Sequence, residues 1–197
     1  MNNLFLISVG GIVGIVIALV VVLLIVFVIS IYNKLVVLRN RVRNGWSQID
    51  VQLKRRFDLI PNLVETAKGY ANLEKGIFEE FAKARGLYAQ AAQAGNVEGM
   101  AQANQSLGGT LSRLLMVQEQ YPELKANTNF QDLMAQLKDT EDKISFNRQF
   151  YNDTVLGYNN KIELFPSNII ANIFRFQAAQ FFEVKDEAQR EAPKVKF

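Results

Sequence analysis

YNKLVVLRNRVRNGWSQIDVQLKRRFDLIPNLVE, residues 32–65, decides how this chain folds. Its apolar residues Leu35, Leu38, Val42, Trp46, Ile49, Leu53, Phe57 and Ile60 recur at steps of three or four, which places all eight on one stripe of a helix. A stripe of that length has to be covered, so the segment is a seam for other helices to pack on. Its charge is as telling. Residues 32–60 carry seven Lys/Arg against two Asp, and they follow directly on a run without any charge.

That run is Met1–Asn33, of which residues 4–31 are almost wholly apolar. At about 1.5 Å of rise per residue it crosses a hydrocarbon layer of roughly 30 Å with residues to spare. A cleaved signal peptide needs a positive start, a shorter apolar core and a small-residue cleavage site. Met1-Asn2-Asn3 is neutral and Ser30-Ile31-Tyr32 is a poor site, so residues 4–31 read as a permanent membrane helix. Lys34, Arg39, Arg41 and Arg43 form a basic collar after it, with no cation before it. The positive-inside rule then places residues 1–3 outside and the rest of the chain in the cytoplasm, as a single-pass protein. Anionic headgroups attract the same collar, so lipid is an expected partner. Gly10, Gly14 and Ala18 are spaced four apart, which permits a close contact between membrane helices. Glycine is also common in such helices for no such reason, and both readings stand.

The 197-residue chain has no cysteine and no histidine. That excludes disulfides, thiol nucleophiles and the commonest general base and metal ligand. The net charge of +3 is concentrated in the collar, since residues 61–197 carry 15 Lys/Arg against 17 Asp/Glu. A basic patch of that kind faces lipid, and no nucleic-acid partner is expected.

Downstream, Pro61 lacks an N–H and disfavours helix at Ile60, so the helix is expected to end or kink there. The helical pattern resumes from Asn62 and holds through Gly86 to Ala92, with Ala94-Gly95-Asn96 as its terminator. Residues 97–120 form a softer Ala- and Gln-rich helix. Gly108-Gly109 in its middle suggests a kink or a close helix approach. A turn over residues 121–129 follows, with Thr128 or Asn129 as the next N-cap. Phe130, Leu133, Leu137, Thr140, Ile144, Asn147, Tyr151, Thr154 and Tyr158 then make an unbroken heptad seam. Thr140, Asn147 and Thr154 are a polar track within it. Register-fixing hydrogen bonds between helices are the favoured reading, and a ligand site joined by Arg148 and Asn152 is the alternative. Leu164-Phe165-Pro166 breaks the helix, and Ser167-Asn168 is expected to cap a last one, IIANIFRFQAAQFF. It is expected to cover the end of the bundle, the alternatives being a membrane surface or a partner. Residues 183–197 read as a charged, flexible tail. The class is therefore all-α: one N-terminal transmembrane helix, then an antiparallel bundle of about four helices over residues 32–182.

Two long motifs carry a family resemblance. RRFDLIPNLV (residues 55–64), KGYA (68–71) and FEEFAKAR (78–85) come first, and ISFNRQFYNDTVLGYNNKIELFPSNIIA (144–171) second. Together they resemble the LemA family of bacterial membrane proteins over residues 32–183. The resemblance implies a single membrane helix and a soluble four-helix bundle at the bacterial inner membrane, and little about activity. Two positions depart from the family pattern. Leu73-Glu74 stands where His-Glu is usual, and Phe174-Arg175-Phe176 stands where Phe-Gly-Phe is common.

Arg55 and Asp58, three apart, are placed to pair on one face. Arg56 is placed to reach open carbonyls near Pro61 or a carboxylate on residues 130–164, and Asn62 to bond at the restart. This cluster is expected to fix the angle between anchor and bundle, with an anion or headgroup site as the rival. Tyr151-Asn152 and Tyr158-Asn159 repeat seven residues apart, so both rings fall on one stripe and need partners for their hydroxyls. No convergent catalytic set, cofactor loop or metal cluster is legible. Adjacent pairs such as Glu79-Glu80 or Glu141-Asp142 point about 100° apart on a helix. The expectation is a non-enzymatic scaffold, without cofactor or metal, that associates with itself. The alternative is an adaptor for a membrane-protein partner in envelope stress or quality control.

Overall fold

The computed structural model describes residues 9–69 and 75–183. Every regular element among them is helical: α1 Val9–Lys68, α2 Lys75–Gln93, α3 Val97–Gln120, α4 Pro122–Lys125, α5 Thr128–Glu163 and α6 Ser167–Ile173. The expectations for residues 1–8, for Tyr70 to Glu74 and for the tail beyond residue 183 lie outside the described residues. The chain divides into two compact units.

One unit joins residues 1–42 to residues 156–179. Here α1 begins as an apolar rod. Its side chains from Gly10 to Ser30 are exposed apart from half-buried Val28, as a helix whose solvent is lipid must be. It is the one described helix long and apolar enough to cross a membrane. Burial starts at Ile31 and Leu35, where the chain's own side chains begin to cover the helix. The end of α5 and all of α6 belong to this unit, with Tyr158, Ile170 and Ala171 buried. α6 is much shorter than its apolar sequence suggests. It stops at Ile173 because Arg175 takes a left-handed φ of 55°. The Phe176 N–H then reaches back to the Ala171 carbonyl and the Arg175 N–H to that of Asn172, a Schellman cap. Ser167 does not cap this helix from outside. It is the first helical residue, and its hydroxyl donates back to the Leu164 carbonyl at 2.9 Å.

The other unit joins residues 43–155 to residues 180–197. It is a bundle of the second half of α1 with α2, α3, α4 and the first part of α5. α1 and α5 run antiparallel in it: the Trp46 ring meets Tyr151 at 5.7 Å, and Arg56 meets Glu141 further along. α2 and α3 do likewise, linked by a turn in which Gly95 takes φ 63° and Asn96 caps α3 by accepting from the Gly99 N–H. Gly99 also brings α3 close to Ala91, leaving 3.0 Å between that methyl and any added Cβ. The core is the expected stripe of α1 (Ile49, Leu53, Phe57, Ile60) closed by Leu107 and Leu114 of α3, Leu124 of α4 and Phe130 of α5.

Several expectations change. Helix α1 runs through Pro61 without ending there. Proline removes one hydrogen bond, while Ile60, Leu63, Val64 and Ala67 around it are all buried and hold the helix by packing. Asn127, ahead of Thr128 and Asn129, caps α5 by accepting from the Phe130 N–H at 2.9 Å. Gly108 and Gly109 have open space where a Cβ would stand, so they mark no close helix approach. The threonines of the polar track do not bridge helices. Thr140 donates to the Gln136 carbonyl and Thr154 to that of Phe150, each one turn back on α5. Beyond Tyr151 the buried line passes to Val155, leaving Thr154 half-buried.

Arg175 is a side chain in a backbone region that strongly favours glycine, the residue that the Phe-Gly-Phe pattern would supply. Arg175→Gly is therefore expected to stabilise the full-length protein by about 1 kcal/mol, read as a raised melting temperature in detergent. A lowered one would mean that the arginine side chain outweighs its backbone strain.

Candidate functional site

Within the second unit, a cleft of about 570 Å³ opens beside Arg56, Asn104, Glu141, Arg148, Asn152 and Phe182. Four elements build it. α1 supplies Arg56 from its buried stripe, one position before Phe57. α3 supplies Asn104 and the bare backbone of Gly108. α5 supplies Glu141, Arg148 and Asn152 at steps of seven and four, hence from neighbouring faces. The extended C-terminal segment supplies Phe182.

Arg56 is its centre. Its side chain is only 4% exposed, yet it carries a full charge. It donates to Asn104 Oδ1 and, at 2.9 Å, to Glu141 Oε2, while its Nε is buried without a partner. Glu141 is 50% exposed, so water screens its half of the pair. Burial pulls the Arg56 guanidinium below the usual arginine value, and Glu141 pulls it part of the way back. Two acceptors thus meet the guanidinium where water does not.

Asn152 forms the far wall. Its side-chain amide clasps the backbone of Phe182 at both ends, accepting from the N–H at 2.9 Å and donating to the carbonyl at 3.3 Å. Next to it, the Tyr151 hydroxyl donates to the Gln180 carbonyl at 2.8 Å, and burial pushes its pKa up to about 12. Phe182, so held, packs its ring at a tilt 5.8 Å from that of Trp46. In the first unit Asn159 repeats the clasp on Ala179, at 2.9 and 3.0 Å. The paired Tyr-Asn motif thus straps down an extended segment, and this unexpected strap replaces the second half of the expected last helix.

The other named residues separate. Arg55 and Asp58 are both exposed, and no ion pair among the described residues joins them, so that expected pair is corrected. Pro61 and Asn62 lie along α1 away from the cleft, and Asn62 is exposed. Tyr158 is buried and has a partner of its own. Arg148 lines the cleft from its exposed rim. In the first unit, Lys34 and Arg41 are exposed, whereas Arg39 lies over the Phe176 ring at 5.1 Å. Arg43 is exposed in the second. Gly14 has open space around it in the single chain. Sequence reasoning anticipated a carboxylate on α5 for Arg56 but not Asn104. Tyr88 was missed too: its hydroxyl donates to Asp50 at 2.7 Å, and burial and that bond push its pKa up.

Guanidinium, carboxylate and amide groups are what the cleft offers. They recognise polar groups by hydrogen bonding and carry no nucleophile of the serine, cysteine or histidine kind. A second, apolar groove of about 470 Å³ lies between α3 and α5, lined by Leu111, Leu115, Met134 and Leu137, with Arg56 and Glu141 at its edge.

A family model described as the LemA family matches residues 45–197. The chain is 28% identical to magnetosome protein MamQ 2 of Paramagnetospirillum magneticum, over 78% of this chain and 65% of that protein. It is 26% identical to magnetosome protein MamQ of Magnetospirillum gryphiswaldense over the same shares. To protein LemA of Metamycoplasma hominis it is 27% identical, over 77% of this chain and 71% of the relative. The chain spans 65% of the length of the MamQ relatives it matches.

Replacing Arg56 by Leu removes the cation and leaves the Asn104 and Glu141 acceptors facing an apolar side chain. A loss of about 1–2 kcal/mol is expected, with Glu141→Gln losing less because that carboxylate is half in water. Unchanged thermal melting of Arg56→Leu would show that the buried guanidinium contributes nothing to the bundle.

Proposed function

Since the chain belongs to the LemA family, we propose that it is a non-enzymatic, membrane-anchored helical scaffold that associates with copies of itself at the bacterial inner membrane. The observation that carries this reading is a pair of unpartnered rings. Phe146 and Phe150 on α5 are 72% and 50% exposed. They are four residues apart, on the side of the helix away from buried Ile144, Tyr151 and Val155. Fully burying a phenylalanine side chain is worth about 1.5–3 kcal/mol, and a second copy is the surface always at hand. In the membrane, Gly10, Gly14 and Ala18 offer a matching close contact.

A second reading has its own observation. The apolar lining of the groove between α3 and α5 is the chemistry that the apolar face of another protein's amphipathic helix seeks, which would make the chain an adaptor for a membrane-protein partner.

Mass separates the two. Full-length protein in mild detergent or nanodiscs is expected to form one large closed species by light scattering and particle imaging. Phe146→Asp with Phe150→Asp should shift it to smaller particles while the helical signal is kept. A monomer or dimer at all concentrations would overturn self-assembly, and the groove would become the place to look.

The basic collar supports an orientation with the N-terminus outside and the bundle in the cytoplasm. In this cysteine-free chain, a single Ser112→Cys on the exposed side of α3 should resist an impermeant thiol reagent in intact cells and react once they are opened. Ready labelling of intact cells would reverse the assignment.

A further inference from the structure

We propose that α6 and the turn before it form a second membrane contact: a foot that lies in the headgroup layer of the leaflet where α1 emerges. It goes beyond the scaffold reading and needs only that α1 is anchored in a bilayer.

α6 is apolar over most of its surface, with Asn168 and Asn172 together on one side. In SNIIANI, Ile170 and Ala171 are buried against the first unit, but Ile169 and Ile173 point away from it. The residues flanking the helix extend that outer face. Phe165 is 79% exposed and Ile173 66%, and Leu164 and Phe174 are exposed with them. A short helix with an apolar outer face beside a polar edge suits the plane of a membrane interface. Five large apolar side chains, each about half exposed or more, crowd one short segment, the kind of surface that marks an interaction site.

Its place in the unit says what covers it. The Phe174 ring lies 4.8 Å from that of Tyr32, and the Phe176 ring 5.7 Å from it. Tyr32 is the residue after Ile31, the last apolar residue of the uncharged run, so the patch sits at the level where the membrane helix leaves the hydrocarbon. The exposed surface of α1 and the exposed surface of α6 are therefore parts of one lipid-facing region. Tyrosine and phenylalanine at that depth match the aromatic layer of a membrane boundary. Charge agrees. Within residues 32–42 and 156–179 stand Lys34, Arg39, Arg41, Lys161 and Arg175, against Glu163 as the sole carboxylate. An apolar face in a unit with that excess of cations fits an anionic leaflet. A protein partner with an acidic apolar groove would have to reach a patch pressed against the bilayer.

The test uses the full-length protein in vesicles containing phosphatidylglycerol, with a single cysteine introduced for a bimane label. Phe165→Cys and Ile173→Cys are the probes, Leu24→Cys marks the span and Ser112→Cys marks water. Lipids carrying a nitroxide near the headgroup should quench the label at 165 and 173 severalfold more than at 112, with blue-shifted emission at both. A deep nitroxide should quench at 24. Quenching at 24 with labels at 165 and 173 as open to aqueous iodide as the label at 112 would overturn the foot and leave the anchor standing. Shielding of 165 and 173 from both iodide and lipid nitroxide would also overturn it, because a second copy would then be the cover. Loss of quenching at 24 would overturn the anchor and the foot together.

Discussion

A backbone that leaves a helix and stays packed against protein must find new partners for its N–H and C=O groups. That constraint governs the C-terminal part of this molecule. Once Arg175 turns the chain out of α6, residues 176–183 have no helical ladder and no strand beside them. The side-chain amides of Asn159 and Asn152, each acting as both acceptor and donor, take the place of a neighbouring strand. The Tyr151 hydroxyl adds a third bond. Where these amides sit decides where Phe176 and Phe182 sit. Phe176 packs on Tyr32 and under Arg39, and Phe182 on Trp46. Aromatic packing along α1 is therefore set by hydrogen bonds made on α5.

The spacing that makes this work was visible, but its purpose was not. Seven helical residues rise about 10.5 Å, and three extended residues span about 10 Å, so a Tyr-Asn repeat of seven matches a strap whose clasped residues are three apart. Reading the repeat as core tyrosines with satisfied hydroxyls was right for Tyr151. The asparagines were underread because a side-chain amide advertises no partner, and FRFQAAQFF has the composition of a helix. Arg175 gave the only local sign. A non-glycine residue at a glycine position looks like a loss of function, whereas here it marks the left-handed residue that ends the helix.

Periodicity carried the rest of the fold. The stripe of α1 and the bounds of α3 follow from apolar spacing and from Ala94-Gly95-Asn96, because burial and a positive φ leave a direct trace in residue type. Pro61 misled because a local rule was weighed without the tertiary term. Four buried apolar side chains around it outweigh one missing hydrogen bond. The threonines misled in the opposite way. A hydroxyl at a seam position looks like an interhelical bond, but the carbonyl one turn back on its own helix is nearer than any neighbour. Arg56 was legible in part. A buried arginine on an apolar stripe calls for a carboxylate, and the heptad helix was the place to look. Asn104 was hidden in a Gln- and Ala-rich helix where one polar residue resembles the next.

Confinement to a bilayer changes what two exposed phenylalanines are worth. In free solution, rings the size of Phe146 and Phe150 on one helix bury too little to hold two molecules together against the loss of translational and rotational freedom. Copies anchored in one membrane have already lost one translation and two rotations, and linkage of that kind raises effective concentration in the same way as a tether between binding modules. A foot at α6 would narrow the remaining range of tilt. On the scaffold reading, weak contacts on the bundle gain from that confinement. The separate parts of the molecule fit that logic: an apolar rod, a basic collar that follows it on the same helix, an apolar segment at the rod's exit, and a bundle with two exposed rings on one face of α5.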